Sequence, residues 1–574
     1  MRHESEGEFW VLVKGIRAGT DYAYRTDAGA ERPDPVSRFQ PHGVHGPSQV
    51  IDPGAFPWSD HHWKGLPLKE YIIYELHTGT FTPEGTFESI IPKLGYLRDL
   101  GVTAIEVMPV AEFPGARNWG YDGVAPYAPQ SSYGGPGGLK KLVDACHREG
   151  LAFVLDVVYN HLGPEGNYLA EFAPFFTESY RTPWGSAINY DGAESDGVRR
   201  YFVDNALYWL TEFHVDALRL DAIHGIFDFG ARHILEEMAA SFHRQAEGLG
   251  REAWIIAESD LNDVRIIKPV AEGGYGVDAQ WSDDFHHSFY TALTGDTHGY
   301  FMDFGRLGHL AKSLKKGFVY DGRPSKYRGR RHGSSSKRRP GQQFVVFTQN
   351  HDQIANAMDG NRLASLVSVE QQKLAAAVLL CAPFVPLLFM GQEYGEVAPF
   401  HYFTDHGDRA LADAVREGRR REHAGLHIGG AFFDPQDPQT LEAGKLDWSL
   451  PAKPPHSGVL RFYRDLLAAR KRHACLGNCR KDLVRVTFDE AKRWLVLERG
   501  DDSKERGLML CNLSDCPVVM PVTALAGEWS LLLWSGSCEY GGPAEQAAPP
   551  DAIGESPMPL QLSPASAAIY INKH

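Results

Sequence analysis

The sequence predicts an α/β protein built around a (β/α)8 TIM barrel. Three observations support this fold class: the chain has 574 residues, short apolar runs alternate with segments of helical periodicity, and about eight such units follow one another. A doubly wound open sheet is the alternative. It would be expected to carry a glycine-rich phosphate-binding turn near its start, and the sequence shows none there.

The predicted barrel strands are short apolar runs, and segments with apolar residues three and four positions apart lie between them. The strands are predicted at 71–76, 103–109, 152–159, 215–222, 254–258, 277–281, 344–348 and 385–390. Examples of the helices are predicted at 90–100, 139–149, 198–213, 234–242, 369–380 and 459–470.

Two β-rich segments flank the predicted barrel. The first holds only the strand-like runs 9–13 and 21–25 before a proline-rich stretch, which predicts a partial N-terminal β-sandwich and a linker. Strand-like runs return from about residue 481 and predict a small antiparallel β domain. We therefore expect three parts, which are residues 1–62, the barrel at 63–475 and the C-terminal β domain at 476–574. The C-terminal strands are predicted at 483–487, 494–498, 508–513, 530–534 and 567–571.

The composition narrows the class of protein. The formal net charge of −15 argues against a general nucleic-acid binder. No apolar run is long enough to span a bilayer, and the first seven residues lack the apolar stretch of a signal peptide. Seven cysteines without metal-type spacing predict reduced thiols, so we expect a cytoplasmic protein without a membrane or nucleic-acid partner.

The stretch 215–224 is the most informative, because an apolar strand brings two charges to its C-terminal end. Arg219 and Asp221 share one face of this strand, since strand side chains alternate. A guanidinium beside a carboxylate favours the ionised form and lowers its pKa, so Asp221 is a candidate nucleophile. A buried ion pair that only stabilises the fold is the alternative.

Three carboxylates are predicted at the C-terminal ends of strands, where barrels of this kind place their chemistry. Asp221, Glu258 and Asp352 follow three different strands, and His161 and His351 accompany them. Packing alone does not explain such a convergence on one face. Two carboxylates in different environments are what glycoside hydrolysis requires.

The environments read from the sequence assign roles to these residues. Arg219 is expected to keep Asp221 ionised as the nucleophile. Glu258 follows an apolar run and has no cation beside it in the sequence, so we expect a raised pKa and the role of general acid and base. Asp352 is expected to orient sugar hydroxyls, and the two histidines to donate hydrogen bonds to them.

Further substrate contacts are predicted from residues near the strand ends. Tyr121 is a candidate stacking platform. Trp184 and Trp281 are candidates for sugar stacking, with core packing as the alternative. Asp283 and Glu393 are candidates for lining the substrate groove, with surface or capping carboxylates as the alternative.

Four ordered motifs resemble the signature regions of the α-amylase superfamily. They are Asp-Val-Val-Tyr-Asn-His at 156–161, Leu-Arg-Leu-Asp at 218–221, Ala-Glu at 257–258 and Gln-Asn-His-Asp at 349–352. The resemblance implies a retaining glycosidase in which Asp221 is the nucleophile, Glu258 the proton donor and Asp352 the transition-state stabiliser.

Further motifs resemble the maltooligosyltrehalose trehalohydrolase family within that superfamily. They lie at 33–35, 43–47, 118–123, 163–169, 182–185 and 280–287. The resemblance implies hydrolysis of the α-1,4-glucosidic bond next to the terminal trehalose of maltooligosyltrehalose, with release of trehalose. It also implies a pathway partner, maltooligosyltrehalose synthase. Isoamylase-type debranching and glycogen branching enzymes share the barrel and the three carboxylates, and remain the alternatives.

Two departures from the resemblance are visible. The β-sandwich of the family is expected to be longer than the stretch before residue 71. The excursion at 161–196 is short for the calcium-holding domain of true α-amylases, in which an asparagine at the position of Asn160 helps to hold calcium. An oxygen cage for calcium needs six to eight ligands, so we expect no required metal and no cofactor.

A protein that is not an enzyme must also be considered. An inactive amylase-like subunit of a membrane transporter is expected to lose catalytic carboxylates and to carry a membrane segment, and a glucan-binding module needs no acid/base pair. The sequence keeps Asp221, Glu258 and Asp352 and shows no such segment, which favours an enzyme.

A basic run at 323–339 holds a Gly-Ser-Ser-Ser stretch. Because the chain is acidic and aromatic residues do not interleave with these charges, we expect a solvated, mobile loop rather than a nucleic-acid site.

Overall fold

The computed structural model describes residues 2–3, 9–27, 29–356, 358–425, 432–522, 527–554 and 558–572. Eight parallel strands form a closed barrel, in which each strand pairs with its neighbours in chain order and the eighth pairs with the first. This confirms the predicted fold class.

All eight predicted strands are present, each shortened at one or both ends. Only Trp254 among their residues is not buried, which explains why the strands are nearly continuous apolar runs in the sequence. The strands are β1 Ile73–Leu76, β2 Ala104–Val107, β3 Ala152–Val157, β4 Ala217–Leu220, β5 Trp254–Ala257, β6 Ala279–Trp281, β7 Phe344–Val346 and β8 Val385–Phe389.

Helices cover the outside of the barrel, and the predicted ones are all found. The connection from β5 to β6 differs, because it holds only the 3-10 turn Val270–Glu272, next to Pro269 and Gly273, which disfavour a longer helix. The longer helices of the described chain are α1 Leu94–Leu100, α2 Gly135–Arg148, α3 Asp196–Glu212, α4 Ile234–Leu249, α5 Asp283–Thr294, α6 Leu307–Lys316, α7 Val369–Cys381, α8 Arg409–Gly425 and α9 His456–Arg472.

The barrel interior has an apolar layer with a charged layer above it. Inward side chains such as Ile73, Ala104, Val154 and Ala217 pack together in the lower part. Two residues further along, the same four strands place charged residues, because strand side chains alternate. These residues are Glu75, Glu106, Asp156 and Arg219, and the strand register pairs Glu75 with Glu106 and Asp156 with Arg219.

The N-terminal part contains only short strand pairs. Asp21–Tyr22 pairs with Ser48–Gln49, and Tyr24–Arg25 pairs with Glu31–Arg32. Of the predicted run 9–13, Phe9–Trp10 pairs with Arg2–His3, while residues 11–13 form no strand and their side chains are exposed.

The C-terminal part is an antiparallel β domain. The strands are β9 Val484–Asp489, β10 Trp494–Gly500, β11 Arg506–Asn512, β12 Val518–Val522, β13 Trp529–Trp534, β14 Ala552–Ile553, β15 Met558–Leu562 and β16 Ser566–Asn572. The main sheet has the order β9-β10-β11-β16-β13-β14, and β12 pairs with β15 in a separate ribbon. The five predicted strands are present. The prediction missed β12 and β15, which contain Pro521 and Pro559 facing one another, because proline within an apolar run argues against a central strand. It also missed the two-residue strand β14. The predicted boundaries at 62/63 and 475/476 stay predictions.

The basic stretch is not the loop that the sequence predicted. Asp321–Ser325 and Arg330–Gly333 form an antiparallel hairpin. The Asp303 carboxylate accepts hydrogen bonds from the Ser325 hydroxyl and from two backbone N–H groups at the hairpin tip. Arg328 pairs with Asp260 at 2.9 Å, so the hairpin is anchored to the segment that follows β5.

The cysteines and the helices bear on two expectations, which are reduced thiols and no membrane segment. All seven cysteines are unpaired, and five of them are buried. Among the helices in the described part of the chain, none combines the length and apolarity that a membrane crossing requires.

Candidate active site

Arg219 occupies the centre of the charged layer at the C-terminal end of the barrel. Its Nη1 donates to both carboxylate oxygens of Asp156, at 2.8 and 2.7 Å, and to Asp221 Oδ1 at 3.0 Å. Its Nη2 lies 3.3 Å from Glu258 Oε2. The guanidinium carbon lies 4.3 Å from the ring centroid of Trp281. One buried guanidinium therefore positions three carboxylates.

Asp221 and Glu258 lie side by side, because they contact the two terminal nitrogens of the same guanidinium. Glu258 Oε2 also accepts the backbone N–H of Ala222 at 2.6 Å. Ala222 has a φ of 36°, so the chain turns sharply into the left-handed region directly after Asp221. This turn aims the N–H group at Glu258 and fixes both carboxylates relative to the barrel.

The electrostatics of the pair differ from the prediction. Burial raises the pKa of Asp221 well above its ordinary value, Arg219 opposes the shift, and Glu258 and Asp156 add to it. Arg219 lowers the pKa of Asp221 as predicted, but burial outweighs this effect and the neighbouring carboxylates oppose it, so the net shift is upward. The predicted apolar setting of Glu258 is wrong, because Arg219 and the N–H of Ala222 contact it.

His351 is the second basic group of the layer. It contacts one oxygen of Glu75 through Nδ1, and its backbone N–H donates to the other at 3.2 Å. Its Nε2 lies 2.8 Å from the hydroxyl of Tyr121, which donates to Asp156 Oδ2 at 2.6 Å. Burial lowers the pKa of His351, but the Glu75 carboxylate outweighs it and the net shift is upward.

A continuous polar chain follows from these contacts. It runs from Glu75 through His351, Tyr121 and Asp156 to Arg219. Because the Tyr121 hydroxyl donates its proton to Asp156, it accepts from His351, which makes both ring nitrogens of the histidine donors. The Tyr121 ring stacks on His351 with centroids 5.3 Å apart. Tyr121, which was predicted to stack on a sugar, thus also links His351 to Asp156.

Asp352 and Asp283 lie close enough to Glu258 and to each other for their charges to interact. Asp352 is the exposed second residue of the short helix His351–Ala355, and Asn356 Nδ2 donates to it at 3.3 Å. Asp283 is the first residue of α5 and accepts from Gln353 at 3.4 Å. Desolvation raises the pKa of Asp283, and the carboxylates of Glu258, Asp260 and Asp352 raise it further.

His161 and Trp184 form one wall of the cleft. Their rings stack with centroids 5.3 Å apart and planes 18° apart. His161 Nε2 lies 3.1 Å from the carbonyl oxygen of Tyr121, and burial lowers the pKa of His161 to about 4, so this histidine is neutral at pH 7. Trp184 follows the strand Phe176–Thr182 and is 43% exposed, which leaves room for a sugar ring on its surface.

Two predicted substrate contacts need correction. Trp281 is 2% exposed and packs inside the barrel beneath Arg219, with Phe347 at 5.2 Å. Glu393 is fully buried and accepts hydrogen bonds from the hydroxyls of Tyr74 and Tyr96, the second on helix α1. Neither side chain reaches the cleft.

Three residues of the charged layer have no predicted role. Asp156 belongs to a motif noted in the sequence, whereas Glu75 and Glu106 were missed. Glu106 is fully buried, and neither of its oxygens has a hydrogen-bond partner in the described structure. Burial raises the pKa of Glu106 well above its ordinary value. Each of the three residues is a single charge within an apolar strand, which is the same sequence pattern that pointed to Arg219.

No group of three or more His, Cys, Asp or Glu side chains within the described ranges is placed to hold a metal ion. Asn160 is buried, and neither amide atom has a hydrogen-bond partner in that part of the chain. The expectation of no required metal stays a prediction.

The closed barrel and its carboxylate cluster define a class of enzyme, the glycosidases of the α-amylase type. Residues 50–182 match the family model for the catalytic domain of alpha-amylase. A malto-oligosyltrehalose trehalohydrolase from Saccharolobus solfataricus is 47% identical, over 87% of this chain and 85% of the relative. The chain belongs to the malto-oligosyltrehalose trehalohydrolase family.

More distant likenesses agree with this assignment. A 1.4 Å crystal structure described as an alpha amylase from Salmonella typhimurium has a TM-score of 0.87 and 40% identity, covering 98% of this chain and 92% of that one. A 1,4-alpha-glucan branching enzyme from Pseudoalteromonas atlantica is 26% identical, over 93% of this chain and 71% of that enzyme. The likeness to the predicted runner-up is therefore much weaker.

Proposed function

We propose that the protein hydrolyses the α-1,4-glucosidic bond next to the terminal trehalose of malto-oligosyltrehalose and releases free trehalose. The observation that carries this proposal is the pair Asp221 and Glu258, held on one guanidinium at the C-terminal face of the barrel. Family membership supplies the substrate, and the paired carboxylates supply the chemistry of a retaining glycosidase.

The proposed reaction has two steps. Asp221 attacks the anomeric carbon of the glucose next to trehalose, while Glu258 gives its proton to the departing trehalose oxygen. A covalent glycosyl ester on Asp221 results. Glu258, now ionised, takes a proton from water, and that water attacks the same carbon. The oligosaccharide leaves with the α configuration retained.

The reaction needs one proton on the pair and one free carboxylate. Interacting carboxyl groups titrate as a pair, and this pair lies in a buried cluster where one guanidinium faces three carboxylates. In the reactive form the proton is on Glu258. Arg219 and the N–H of Ala222 then set the orientation of both groups, and Asp352 orients sugar hydroxyls at the cleft surface.

The proposed reaction also implies that another enzyme makes the substrate. A substrate that ends in trehalose must be made by an enzyme that converts the reducing end of a maltooligosaccharide, which is the reaction class of a maltooligosyltrehalose synthase. A cytoplasmic location belongs to the same proposal and is supported by the unpaired cysteines.

Product identification on three substrates tests the proposal. The protein is incubated with maltotriosyltrehalose, a branched glucan and linear amylose, with Asp221→Asn and Glu258→Gln as inactive controls. Free trehalose from the first substrate, lost in both variants, is the expected result. Hydrolysis of branch points alone means debranching, transfer without hydrolysis means branching, and no reaction on any substrate means a binding protein. Each of these results overturns the proposal.

A further inference from the structure

Two glutamates of the charged layer have no part in the proposed chemistry. Glu75 on β1 and Glu106 on β2 are partners in the strand register, and both are buried. Glu75 contacts His351 Nδ1 through one oxygen and accepts the backbone N–H of His351 at 3.2 Å through the other. Neither oxygen of Glu106 has a hydrogen-bond partner within the described residues. The two glutamates therefore differ, although they lie at the same height in the barrel.

Glu75 carries the negative charge of this pair. Since both ring nitrogens of His351 are donors, both oxygens of Glu75 accept from N–H groups, which is the bonding pattern of an ionised carboxylate. Adjacent carboxylates in a buried site disfavour each other's ionisation. Burial raises the pKa of Glu106, and the charge of Glu75 raises it further, so Glu106 holds a proton. The buried negative charge is thereby directed at His351.

Most of the charged groups around His351 are carboxylates. Burial lowers the pKa of His351, whereas Glu75 raises it through its charge and its hydrogen bond, and these effects exceed the opposing effect of Arg219. Of the carboxylates that act on this ring, Glu75 is the one that the described structure places in contact with it. The charged and titratable groups that act on His351 or contact it are Glu75 and His77 from β1 and its end, Tyr121 from the loop after β2, Asp156 from β3, Arg219 and Asp221 from β4 and its end, and Asp352 from its own helix.

The protonated ring of His351 acts on the catalytic carboxylates. Burial raises the pKa of Asp352 and of Asp221, and the charge of His351 lowers both. The Nε2 of the ring lies 2.8 Å from the hydroxyl of Tyr121. A neutral imidazole has one N–H donor in place of two, and no charge. Loss of the proton from His351 would therefore weaken both the contact with Tyr121 and the ionised form of the nucleophile.

We propose that Glu75 is a positioning residue for the reaction, because it holds His351 as an imidazolium that donates to Tyr121 and favours ionised Asp221. The inference rests on the proposed function, since it takes Asp221 as the nucleophile. A buried ion pair that only stabilises the fold is the alternative. Removal of such a pair would change the activity of the folded protein by the same factor at every pH, whereas loss of the imidazolium changes it more as the pH rises.

The pH dependence of kcat/KM in Glu75→Gln tests the positioning role, with α-maltotriosyl fluoride as the substrate. Because fluoride leaves without a proton, the ionisation of Glu258 does not limit the first step. The ordinary pKa of histidine is about 6.5, and burial lowers it. We therefore expect the ratio of kcat/KM between Glu75→Gln and the wild type to fall about tenfold per pH unit between about pH 6.5 and 8, as the imidazolium is lost.

Two matched variants accompany Glu75→Gln. Glu75→Asp keeps the negative charge on a shorter side chain, and we expect its ratio to the wild type to be independent of pH. Glu112→Gln is the control, because Glu112 is also buried but accepts its hydrogen bonds from the backbone N–H and the hydroxyl of Ser131. We expect this control to keep the wild-type kcat/KM at every pH.

A double-mutant cycle shows whether Glu75 acts through His351. At about pH 7.5 we expect Glu75→Gln to lower kcat/KM by about tenfold or more in the wild type, and by less than about twofold in the His351→Gln background. The wild type covers the case in which Glu75→Gln does not fold. Its kcat/KM on the fluoride is expected not to fall between about pH 6 and 8, because the imidazolium persists.

Three results overturn the positioning role. They are a ratio for Glu75→Gln that does not change with pH, an equal loss in both backgrounds of the cycle, and a wild-type kcat/KM that falls with a midpoint near the ordinary pKa of histidine. The proposed function fails separately. A wild-type protein that hydrolyses the fluoride but releases no trehalose from maltotriosyltrehalose overturns the proposed function, and the measurements on Glu75 still apply.

Discussion

Arg219 donates from a single nitrogen to both carboxylate oxygens of Asp156, at 2.8 and 2.7 Å. The two residues face each other in the register of strands β3 and β4. Asp156 therefore fixes the guanidinium, and the guanidinium fixes Asp221 and Glu258. The arginine positions the reacting groups, and it lowers the pKa of Asp221 by less than burial raises it.

Arg219→Lys tests this positioning role. A lysine ammonium is a point charge that cannot reproduce the planar fork holding three carboxylates. We expect kcat/KM to fall by about 100-fold or more, which corresponds to roughly 3 kcal/mol of lost transition-state stabilisation. Steady-state kinetics on maltotriosyltrehalose measure the effect.

Arg470→Lys is the matched control for Arg219→Lys. Arg470 is also buried, but it donates to backbone carbonyl oxygens, including those of Leu380 and Phe384, away from the cleft. We expect it to lower stability while kcat per folded molecule stays unchanged. Equal kinetic losses in the two variants would mean that Arg219 acts only through stability.

Trp184 and Trp281 are both candidates for sugar stacking in the sequence, but only Trp184 is exposed in the structure. Trp184→Ala is expected to raise KM about 10-fold, by roughly 1.5 kcal/mol of stacking, and to leave the free energy of unfolding within about 0.5 kcal/mol of the wild type. Trp281→Ala is expected to cost about 3–5 kcal/mol of stability through the cavity it leaves under Arg219. Urea unfolding and kinetics on both variants check this, and a Trp281→Ala protein of wild-type stability contradicts the assignment.

Glu393 is expected to affect stability and leave substrate binding unchanged. Burial raises the pKa of Glu393 to about 7. Because the folded carboxyl binds its proton more tightly than the unfolded one, stability falls as pH rises from about 4.3 to 7. Glu393→Gln removes this dependence and leaves KM unchanged. Unfolding free energies between pH 4 and 8, with KM at pH 7, provide the test, and a changed KM contradicts it.

The free energy of unfolding also depends on pH through His147, a basic group far from the cleft. Its buried ring contacts Asp60 through Nδ1 at 2.8 Å and Asp216 through Nε2 at 2.9 Å. Burial lowers the pKa of His147, but the two carboxylates outweigh it and the net shift is upward. This contribution to stability is therefore complete below the unfolded pKa of about 6.5 and is lost as pH rises through the higher folded value.

His147→Gln is expected to cost about 1–3 kcal/mol near pH 6, because Asp60 and Asp216 each lose a charged partner but keep His214 and Arg251. It is also expected to remove part of the decline in stability at alkaline pH. Unfolding free energies from pH 5 to 9 measure both effects. His243→Gln, at a pair with Asp278 that is more exposed than the His147 pairs, is the control with a smaller expected loss. Parallel curves for the wild type and His147→Gln would contradict the assignment.

The sequence was sufficient for the barrel because each strand is buried on both faces and stands out as an apolar run. It was also sufficient for the positions of Asp221, Glu258 and Asp352, because barrel strands end on one face. It was insufficient for side-chain direction. Glu393 follows β8 by four residues, and only the structure shows that it points toward α1.

Contacts between distant segments account for the remaining differences. The charge environment of Asp221 depends on Asp156 and Glu258, which lie on other strands. The basic hairpin is ordered by Asp303 and Asp260, and neither contact is visible in the composition of the run. Local patterns predict elements, whereas pKa values and loop order depend on what the fold brings together.

The assigned roles of Asp221 and Glu258 are tested most directly with azide and α-maltotriosyl fluoride, whose leaving group needs no proton. In Glu258→Ala, azide attacks the covalent ester on Asp221, and we predict α-maltotriosyl azide. In Asp221→Ala, azide displaces fluoride directly from the anomeric carbon, and we predict β-maltotriosyl azide. The anomers are distinguished by NMR. A β product from Glu258→Ala, or an α product from Asp221→Ala, would contradict the account.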